Sequence, residues 1–300
     1  GIDAQWNDDF HHALHTLLTK ESDGYYADFG AFSHLVKALC EGFVYAGQRS
    51  SFRQRRHGNS AADLPPDAFV VFAQNHDQVG NRVYNERMGH LVSLEGLKLA
   101  AGLVLLHPGI PLLFMGEEYN EKALFPYFIS HSDPGLVEAV RKGRKEEFAA
   151  FAWKGDPADP QDEQTFLSAQ LDHELRFHGD HEVLYRFYRE VISLRKELRS
   201  RCGVSPQGLE IGALESEFIL WIRYGTGAEQ ALVAFNVGTN RWTGPVPVPN
   251  GMWSVRLHSA EPRWRGHESS IGKDVESHGE LVLDLPGLSF AVLTQGWHAG

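Results

Sequence analysis

An apolar run that ends abruptly in polar residues is the feature that most limits how this chain can fold. Residues 69–74 read FVVFAQ, and NHDQVGNR follows directly. A short, continuously apolar run is typical of a strand buried on both faces, as in a parallel sheet. Functional side chains in parallel α/β folds lie just beyond the carboxyl ends of the strands, so we expect Asn75, His76 and Asp77 to face a ligand.

A second apolar run, IPLLFMG at 110–116, ends in the acidic segment EEYNE. Apolar residues between the two runs predict a helix over 91–106, which His107, Pro108 and Gly109 stop. Strand, helix and strand at this spacing indicate a βαβ unit and therefore an α/β fold. Helical spacing of apolar residues predicts further helices at 10–18, 31–39, 136–151 and 181–198.

The pattern changes after residue 204, where short apolar strands alternate with turn sequences such as GTGAE and VPNG. This alternation predicts a separate antiparallel β-sandwich. We therefore expect two domains, 1–204 and 205–300. The strands are predicted at 217–224, 230–237, 252–259, 280–286 and 289–295.

Composition limits the classes of partner that the chain can bind. It has 300 residues and a formal net charge of -11, which argues against nucleic acid or an anionic membrane as the main partner. The longest apolar run is too short to span a bilayer. The two cysteines, Cys40 and Cys202, lack the spacing of a metal or redox motif. Free thiols predict a reducing compartment, which we take to be the cytoplasm.

The polar residues after the first strand suit sugar chemistry. A carboxylate such as Asp77 can stabilise an oxocarbenium-like transition state, while His76 and Asn75 can bind ring hydroxyls. An alternative is that strand ends are exposed and often polar without any function. That alternative is the better account of a single glutamate such as Glu117, but three adjacent polar groups favour a ligand.

The segment QWNDDFHH at 5–12 combines an aromatic residue with carboxylates and imidazoles, as a carbohydrate subsite does. An ordinary helix start is equally consistent, with Asp8 and Asp9 as cap and first-turn acids. His11 and His15 lack the glutamate of a zinc motif, and packing on a helix face is the favoured interpretation of His15. No calcium-loop pattern occurs, and we expect no metal and no cofactor.

Four stretches carry a resemblance to a known family. FVVFAQNHDQVGNR resembles the fourth signature region of the alpha-amylase superfamily (glycoside hydrolase family 13), in which a similar triplet ends barrel strand 7. IPLLFMGEEY is similar to the strand 8 of that superfamily. Residues 3–30 and 125–148 resemble the members that release trehalose from maltooligosyl-trehalose. The resemblance runs to about residue 200, and the following sandwich fits the family's C-terminal domain.

The resemblance implies the C-terminal part of a (β/α)8 barrel, about strands 6 to 8, followed by the sandwich. It implies a retaining hydrolase of trehalose biosynthesis, which cuts the α-1,4 bond next to the trehalose unit. Asp77 matches the transition-state stabiliser of the family. The residues that match its substrate-contacting segments are Trp6, Asp8, Asp9, Phe10, His11, His12, His76, Gln78, Val79, Gly80 and Asn81.

The nucleophile and the acid/base of the family have no match in this chain. GIDA at 1–4 lacks the arginine that precedes the family's nucleophile, so Asp3 is rejected as the nucleophile. Glu117 and Glu118 belong to the strand-8 segment, so they do not replace the acid/base. A retaining mechanism needs two carboxyl groups about 5 Å apart. We therefore expect the chain to be inactive and unstable alone. Its expected partners are an α-glucan and the missing N-terminal part of the same enzyme.

Two alternatives remain open on the sequence. One is another enzyme of the superfamily, such as a branching enzyme or a debranching glucan hydrolase. The other is a non-catalytic carbohydrate-binding remnant that kept the subsites without the catalytic pair.

Overall fold

The structure is a computed structural model of the chain that describes residues 1–149, 157–266 and 271–297. The helices in these ranges are α1 (Asp8–Thr19), α2 (Phe32–Glu41), α3 (His76–Gly80), α4 (Leu94–Leu105), α5 (Pro134–Ala149), α6 (Glu163–Leu167) and α7 (Gly179–Arg201). The strands are β1 (Gln5–Trp6), β2 (Ala46–Ser50), β3 (Arg55–Gly58), β4 (Phe69–Val71), β5 (Ile110–Pro111), β6 (Leu209–Leu214), β7 (Ile219–Tyr224), β8 (Gln230–Asn236), β9 (Trp242–Pro247), β10 (Gly251–His258), β11 (Asp274–Ser277), β12 (Glu280–Leu285) and β13 (Ser289–Gln295).

A three-stranded parallel sheet of order β1-β4-β5 carries the polar strand end. The strand predicted at 69–74 forms its centre, with Val70 opposite Trp6 on one side and Ile110 on the other. The pairing stops at Val71 because the chain then turns into α3. The predicted parallel βαβ unit is therefore confirmed, since α4 connects β4 to the parallel strand β5.

The strand predicted at 110–116 was too long. Pairing is confined to β5 and ends with the Leu112 amide, which donates to the Val71 carbonyl at 2.8 Å. Beyond that point β4 has already turned away, so the ladder has no partner for the rest of the segment. Leu113 and Met115 are exposed there by 37% and 55%.

The predicted helices are confirmed. The helix predicted at 10–18 is α1, and the Asn7 side chain caps it by accepting a hydrogen bond of 3.0 Å from the Phe10 amide. The helices predicted at 31–39, 91–106 and 181–198 correspond to α2, α4 and α7. The helix predicted at 136–151 corresponds to α5, and the last two positions of that prediction lie outside the described residues.

Helix α4 is buried along almost its whole length between α7 and the antiparallel region. Its C-terminal end is held by Arg195 of α7, whose guanidinium donates to the carbonyls of Leu105, His107 and Gly109 at 2.5–2.7 Å. The last carbonyls of a helix lack internal partners, so this guanidinium replaces hydrogen bonds that would otherwise be lost on burial. No helix in the described part of the chain is both long enough and apolar enough to cross a membrane.

The C-terminal region is a six-stranded antiparallel sheet of order β11-β10-β13-β8-β7-β6, against which the pair β12-β9 packs. Both faces of the large sheet are buried. Leu220 and Phe235 join the core that also contains α4 and α7, whereas Trp221 and Ala234 pack between the two sheets. This double burial explains why β7 and β8 are continuously apolar rather than alternating.

The five strands predicted after residue 204 are observed, and three others were missed. β6 has no fully buried residue, and β9 and β11 expose every other residue. β9 also contains two prolines, so none of the three shows the continuous apolar run by which the other strands were predicted. The chain passes from α7, which ends at Arg201, to β6, which begins at Leu209. The boundary at 204/205 stays a prediction.

Candidate active site

The end of β4 is shaped by a reciprocal pair of side-chain hydrogen bonds. The Asn75 side-chain oxygen accepts from the amides of Asp77 and Gln78 at 2.9 and 3.4 Å, and the Gln78 side-chain oxygen accepts from the Asn75 amide at 3.1 Å. This capping box turns the chain directly from the strand into α3. The side chains of His76 and Asp77 are consequently directed outward and are 57% and 60% exposed.

Asp77 lies beside an imidazole and an indole. His76 Nε2 is 3.2 Å from Asp77 Oδ1. The Trp6 ring at the end of β1 meets the His76 ring edge-on, with 5.6 Å between centroids, and is braced from below by Phe72 at 5.7 Å. Trp6 remains 38% exposed. The two neighbouring strand ends thus bring a carboxylate, an imidazole and an aromatic face together. Asn75, which was also expected to face a ligand, is instead 1% exposed and caps α3.

A second carboxylate belongs to this group. Gln78 Nε2 donates to Asp8 Oδ1 at 3.2 Å, which ties the start of α1 to α3. Burial raises the pKa of Asp8, and the negative charges of Asp77 and Asp9 raise it further. This mutual repulsion places the carboxylates of Asp8 and Asp77 in one electrostatic site.

Asp9 serves the scaffold instead of the surface. Its carboxylate accepts from the backbone amides of Val44 and Tyr45 at 2.8 and 2.9 Å. Burial raises the pKa of Asp9, although these two hydrogen bonds oppose the change. The structure therefore uses this predicted substrate contact to hold the segment that leads into β2.

Phe10 and His11, both predicted to contact substrate, lie in the interior. Phe10 is 0% exposed and packs edge-on against His107, with 5.2 Å between ring centroids. His11 Nδ1 is 2.8 Å from the Ala73 carbonyl, and its Nε2 is 3.1 Å from the Tyr26 hydroxyl. The structure does not bring either side chain to the rim, because α1 turns this face toward the sheet.

His12 lies between the interior and the rim. Its ring stacks on Tyr25 with 5.0 Å between centroids, and burial lowers its pKa to about 3. Its Nδ1 is buried and makes no hydrogen bond within the described part of the chain. This neutral imidazole is buried below the rim, so the structure does not present the nitrogen to a ligand.

The remaining predicted contacts support α3. Val79 is buried. The backbone oxygen of Gly80 accepts from Arg144 Nη2 at 3.0 Å, and the Asn81 side-chain oxygen accepts from Arg144 Nη1 at 3.5 Å. Arg144 comes from α5 and also lies over the Tyr127 ring at 5.2 Å. Sequence reasoning missed this arginine because no local pattern links residues so far apart in the chain.

A buried polar network lies beneath α3. Arg82 donates to both oxygens of Glu21 at 2.7 Å and to Glu86 at 3.1 Å, and His15 Nε2 lies 2.7 Å from Glu21. Burial alone would raise the pKa of Glu21, but the hydrogen bonds and charges of Arg82 and His15 lower it to about 2. This network fixes the loop after α1 against the loop after α3. The described residues contain no group of three or more His, Cys, Asp or Glu that could hold a metal ion.

Glu117, at the end of the second apolar run, is buried below the rim. The Phe114 amide and the Tyr188 hydroxyl donate to its two oxygens at 3.1 and 3.3 Å. Burial raises its pKa to about 8, so the carboxyl group is protonated and neutral at pH 7. Its position below the surface agrees with a structural contribution rather than contact with a ligand.

The parallel sheet with its polar rim and the following sandwich define a class of protein that solved structures also display. A Salmonella typhimurium protein provisionally assigned as an alpha-amylase superposes with a TM-score of 0.77 at 32% identity, covering 97% of this chain and 46% of that one. The alpha-amylase from H. orenii matches with a TM-score of 0.52 at 17% identity, covering 98% of this chain and 49% of that one. The chain thus has the fold of the alpha-amylase family.

Curated relatives are more specific, and those found carry the name malto-oligosyltrehalose trehalohydrolase. The Saccharolobus solfataricus enzyme is 46% identical over 202 residues, which are 67% of this chain and 34% of the relative. The Arthrobacter ramosus enzyme is 43% identical over 253 residues, 83% of this chain and 42% of the relative. The resemblance predicted from the sequence is confirmed: the chain is homologous to part of these enzymes. It spans less than half of their length. No protein-family model matches it.

Proposed function

We propose that this chain forms the rim of a glycosidase that hydrolyses the α-1,4 bond next to the trehalose unit of maltooligosyl-trehalose and so releases trehalose. The observation that carries the proposal is the exposed carboxylate of Asp77, fixed by a capping box at the end of the central strand beside His76 and Trp6. The identity to relatives of that name supports the substrate.

Asp77 is proposed as the transition-state stabiliser. An oxocarbenium-like transition state carries positive charge that a fixed carboxylate lowers in energy. The capping box holds the backbone of α3 before substrate binds, so little reorganisation is needed during the reaction. The carboxylate of Asp8 adds negative charge to the same site.

The proposed sugar contacts are Trp6, Asp8 and His76. The exposed face of Trp6 can stack on the apolar face of a pyranose ring, and the imidazole and carboxylate can bind its hydroxyls. We assign Asp9, Phe10, His11, His12 and Val79 to the support of this surface, because their side chains are bound or buried. Gln78, Gly80 and Asn81 connect α3 to Asp8 and to Arg144.

The nucleophile and the acid/base are proposed to come from another polypeptide segment. The described rim brings Asp77 and Asp8 together, whereas the side chains of Glu117 and Glu121 are buried below the surface. We assign β1, β4 and β5 to strands 6, 7 and 8 of a (β/α)8 barrel whose remaining strands complete the site. We place the reaction in the cytoplasm, because Cys40 and Cys202 are both free thiols.

A chimera tests the proposal directly. The N-terminal part of the Arthrobacter ramosus enzyme joined to this chain should release trehalose from maltooligosyl-trehalose. Asp77→Asn should lower kcat by about 100- to 1,000-fold with a small change in KM, because the lost charge acts mainly in the transition state. The matched control is Asp67→Asn, an exposed aspartate in the loop before β4. Branched or debranched products without trehalose, or equal activity of both variants, would contradict the proposal.

A further inference from the structure

A β-hairpin near the proposed sugar site concentrates positive charge in an otherwise acidic chain. The basic hairpin consists of β2, residues 51–54 and β3, and it contains Arg49, Arg53, Arg55 and Arg56. All four arginines are exposed, and none of them forms an ion pair with an acid within the described residues. Acids outnumber bases in the whole chain by 39 to 28, so four guanidinium groups so close together are unexpected. Arg53 lies over the Tyr45 ring at 6.0 Å, and its charge acts on Asp8 and Asp9.

The strand register places two of these charges directly against each other. Arg49 pairs across the hairpin with Arg56, and their side chains share one face. Like charges in directly opposed positions destabilise a two-stranded sheet. Their present partners are neutral, since Arg49 donates to the Gln54 side chain at 3.3 Å and Arg56 to the Gly47 carbonyl at 2.9 Å. A bound carboxylate would relieve this repulsion.

The hairpin is held rigidly in spite of that repulsion. The carboxylate of Asp28 accepts hydrogen bonds from the Tyr45 hydroxyl at 2.8 Å and from the amides of Ser51 and Phe52 at 2.7 and 3.2 Å. Ser50 Oγ donates to it as well. Burial would raise the pKa of Asp28, but these hydrogen bonds together lower it to about 2. The guanidinium groups are therefore presented by a fixed backbone, which lowers the entropy cost of binding.

The distribution of the charges fits an extended partner better than a small anion. Arg55 and Arg56 are adjacent on β3, so their side chains leave opposite faces of the strand. One phosphate ion cannot reach both faces. Phe52 at the tip is 45% exposed among these arginines. Arginine together with an exposed aromatic residue is the composition of a protein–protein interface.

The hairpin lies beside the proposed sugar site. It begins where Asp9, just beyond the end of β1, binds the amides of Val44 and Tyr45. The positive charge of Arg53 opposes the rise in the pKa of Asp8 and of Asp9, which places the hairpin near these carboxylates. The open edges of the parallel sheet are β1 and β5, and strands that complete the sheet would pair there instead of with β2 or β3.

We propose that the basic hairpin is a docking surface for a separate protein partner with a carboxylate-rich surface. Guanidinium groups bind carboxylates through paired N–H donors, and the acidic remainder of this chain repels such a partner from other faces. The basic hairpin adjoins the rim, so the partner would be held next to the place where the glucan enters the proposed sugar site.

The test uses the full chain immobilised at low density on a biosensor, with a poly-L-glutamate peptide as the probe. Binding should be saturable and weaken as salt is raised. Arg49→Gln/Arg56→Gln should weaken it about tenfold, as expected for two charge contacts at an interface. The control Arg186→Gln/Arg189→Gln removes the same charge from α7 and should leave affinity within about twofold of wild type.

Three results would overturn the proposal. They are an absence of binding to the wild-type chain, equal losses in the two double variants, and tight binding of inorganic phosphate without binding of the peptide. Arg49→Lys/Arg56→Lys keeps the charge and should retain part of the affinity, and a thermal melt of each variant verifies folding. Affinity for maltooligosyl-trehalose, measured in parallel, should be unchanged by the hairpin variants, which separates failure of this surface from failure of the sugar site.

Discussion

At the scale of single residues, burial decides which acids of this chain can act at its surface. Asp77 and Glu117 both follow apolar runs, yet one is 60% exposed in its side chain and the other is buried. The difference arises because the capping box of Asn75 and Gln78 turns α3 outward, whereas Glu117 folds back onto the Phe114 amide. Exposure, more than residue type, therefore separates a ligand-facing carboxylate from a structural one.

Glu117 should make stability depend on pH. Its pKa of about 8 in the fold lies above the ordinary value of 4.5, so the folded state holds a proton that the unfolded state has lost. Stability should therefore fall as pH rises from about 5 to about 9, by up to about 5 kcal/mol. Glu117→Gln should remove this part of the slope in urea unfolding at several pH values.

The control for that measurement is Glu118→Gln, which changes the neighbouring and less buried carboxyl group. It should leave most of the slope in place. The histidines His12 and His107, whose pKa values are lowered to about 3 by burial, act in the opposite direction and destabilise the fold at acid pH. The quantity to compare is therefore the pH slope of the free energy of unfolding, taken as the difference between each variant and wild type. Identical slopes for Glu117→Gln and wild type would refute the prediction.

At the scale of elements, helix ends and strand ends are held by side chains from distant parts of the chain. Arg195 of α7 binds the end of α4, Arg144 of α5 binds the end of α3, and Asp9 of α1 binds the segment before β2. Each of these ends carries backbone groups without partners in their own element. The side chains thus couple the elements that surround the rim.

Replacing Arg195 by methionine should destabilise the chain by about 3 kcal/mol, because the substitution leaves three backbone carbonyls without their charged donor. The midpoint of urea unfolding measures the loss. Arg199→Met is the matched control on the same helix. Within the described residues Arg199 donates to one carbonyl, that of Pro108, at 3.1 Å, and its loss should cost about 1 kcal/mol. Equal losses would show that the three-carbonyl contact has no special importance.

At the scale of the whole molecule, one continuous core joins the parallel and antiparallel regions. Phe187 of α7 packs on Phe290 of β13 and on Trp264, with ring centroids 5.9 and 5.3 Å apart. The parallel sheet, in contrast, has open edges at β1 and β5, where Ile110 is 40% exposed. The core is thus continuous across the two regions, while both edge strands of the parallel sheet stay without a further partner among the described residues.

These open edges predict that the isolated chain self-associates at micromolar concentration and releases no trehalose. Sedimentation velocity measures the association, and product analysis on maltooligosyl-trehalose measures the activity. Leu113→Lys should reduce association, because a charge beside the open edge opposes edge-to-edge pairing. The control Leu64→Lys places the same charge in the exposed loop before β4 and should have no such effect. A chain that stays monodisperse at micromolar concentration, or detectable trehalose release, would contradict the prediction.

The sequence by itself determined the elements that local pattern specifies. Continuous apolar runs defined β4, β7, β8 and β13, and apolar periodicity defined α1, α4 and α7. The polar residues after β4 predict where a ligand would lie. Helix and strand periods are local properties, so neighbouring residues are sufficient to reveal them. The outward position of Asp77 was foreseeable for the same reason.

Only the tertiary structure decided which side chains reach that rim. Asp9, Phe10 and His11 are adjacent to Asp8 in the sequence, yet the sheet and the segment before β2 take them into the scaffold. Neighbours remote in the chain also decide other features of the fold. These are the bounds of β6 and β9, the contact of Arg144 with α3 and the opposition of Arg49 and Arg56. The physical reason is that burial and hydrogen-bond partnership are set by packing between elements, which no local pattern contains.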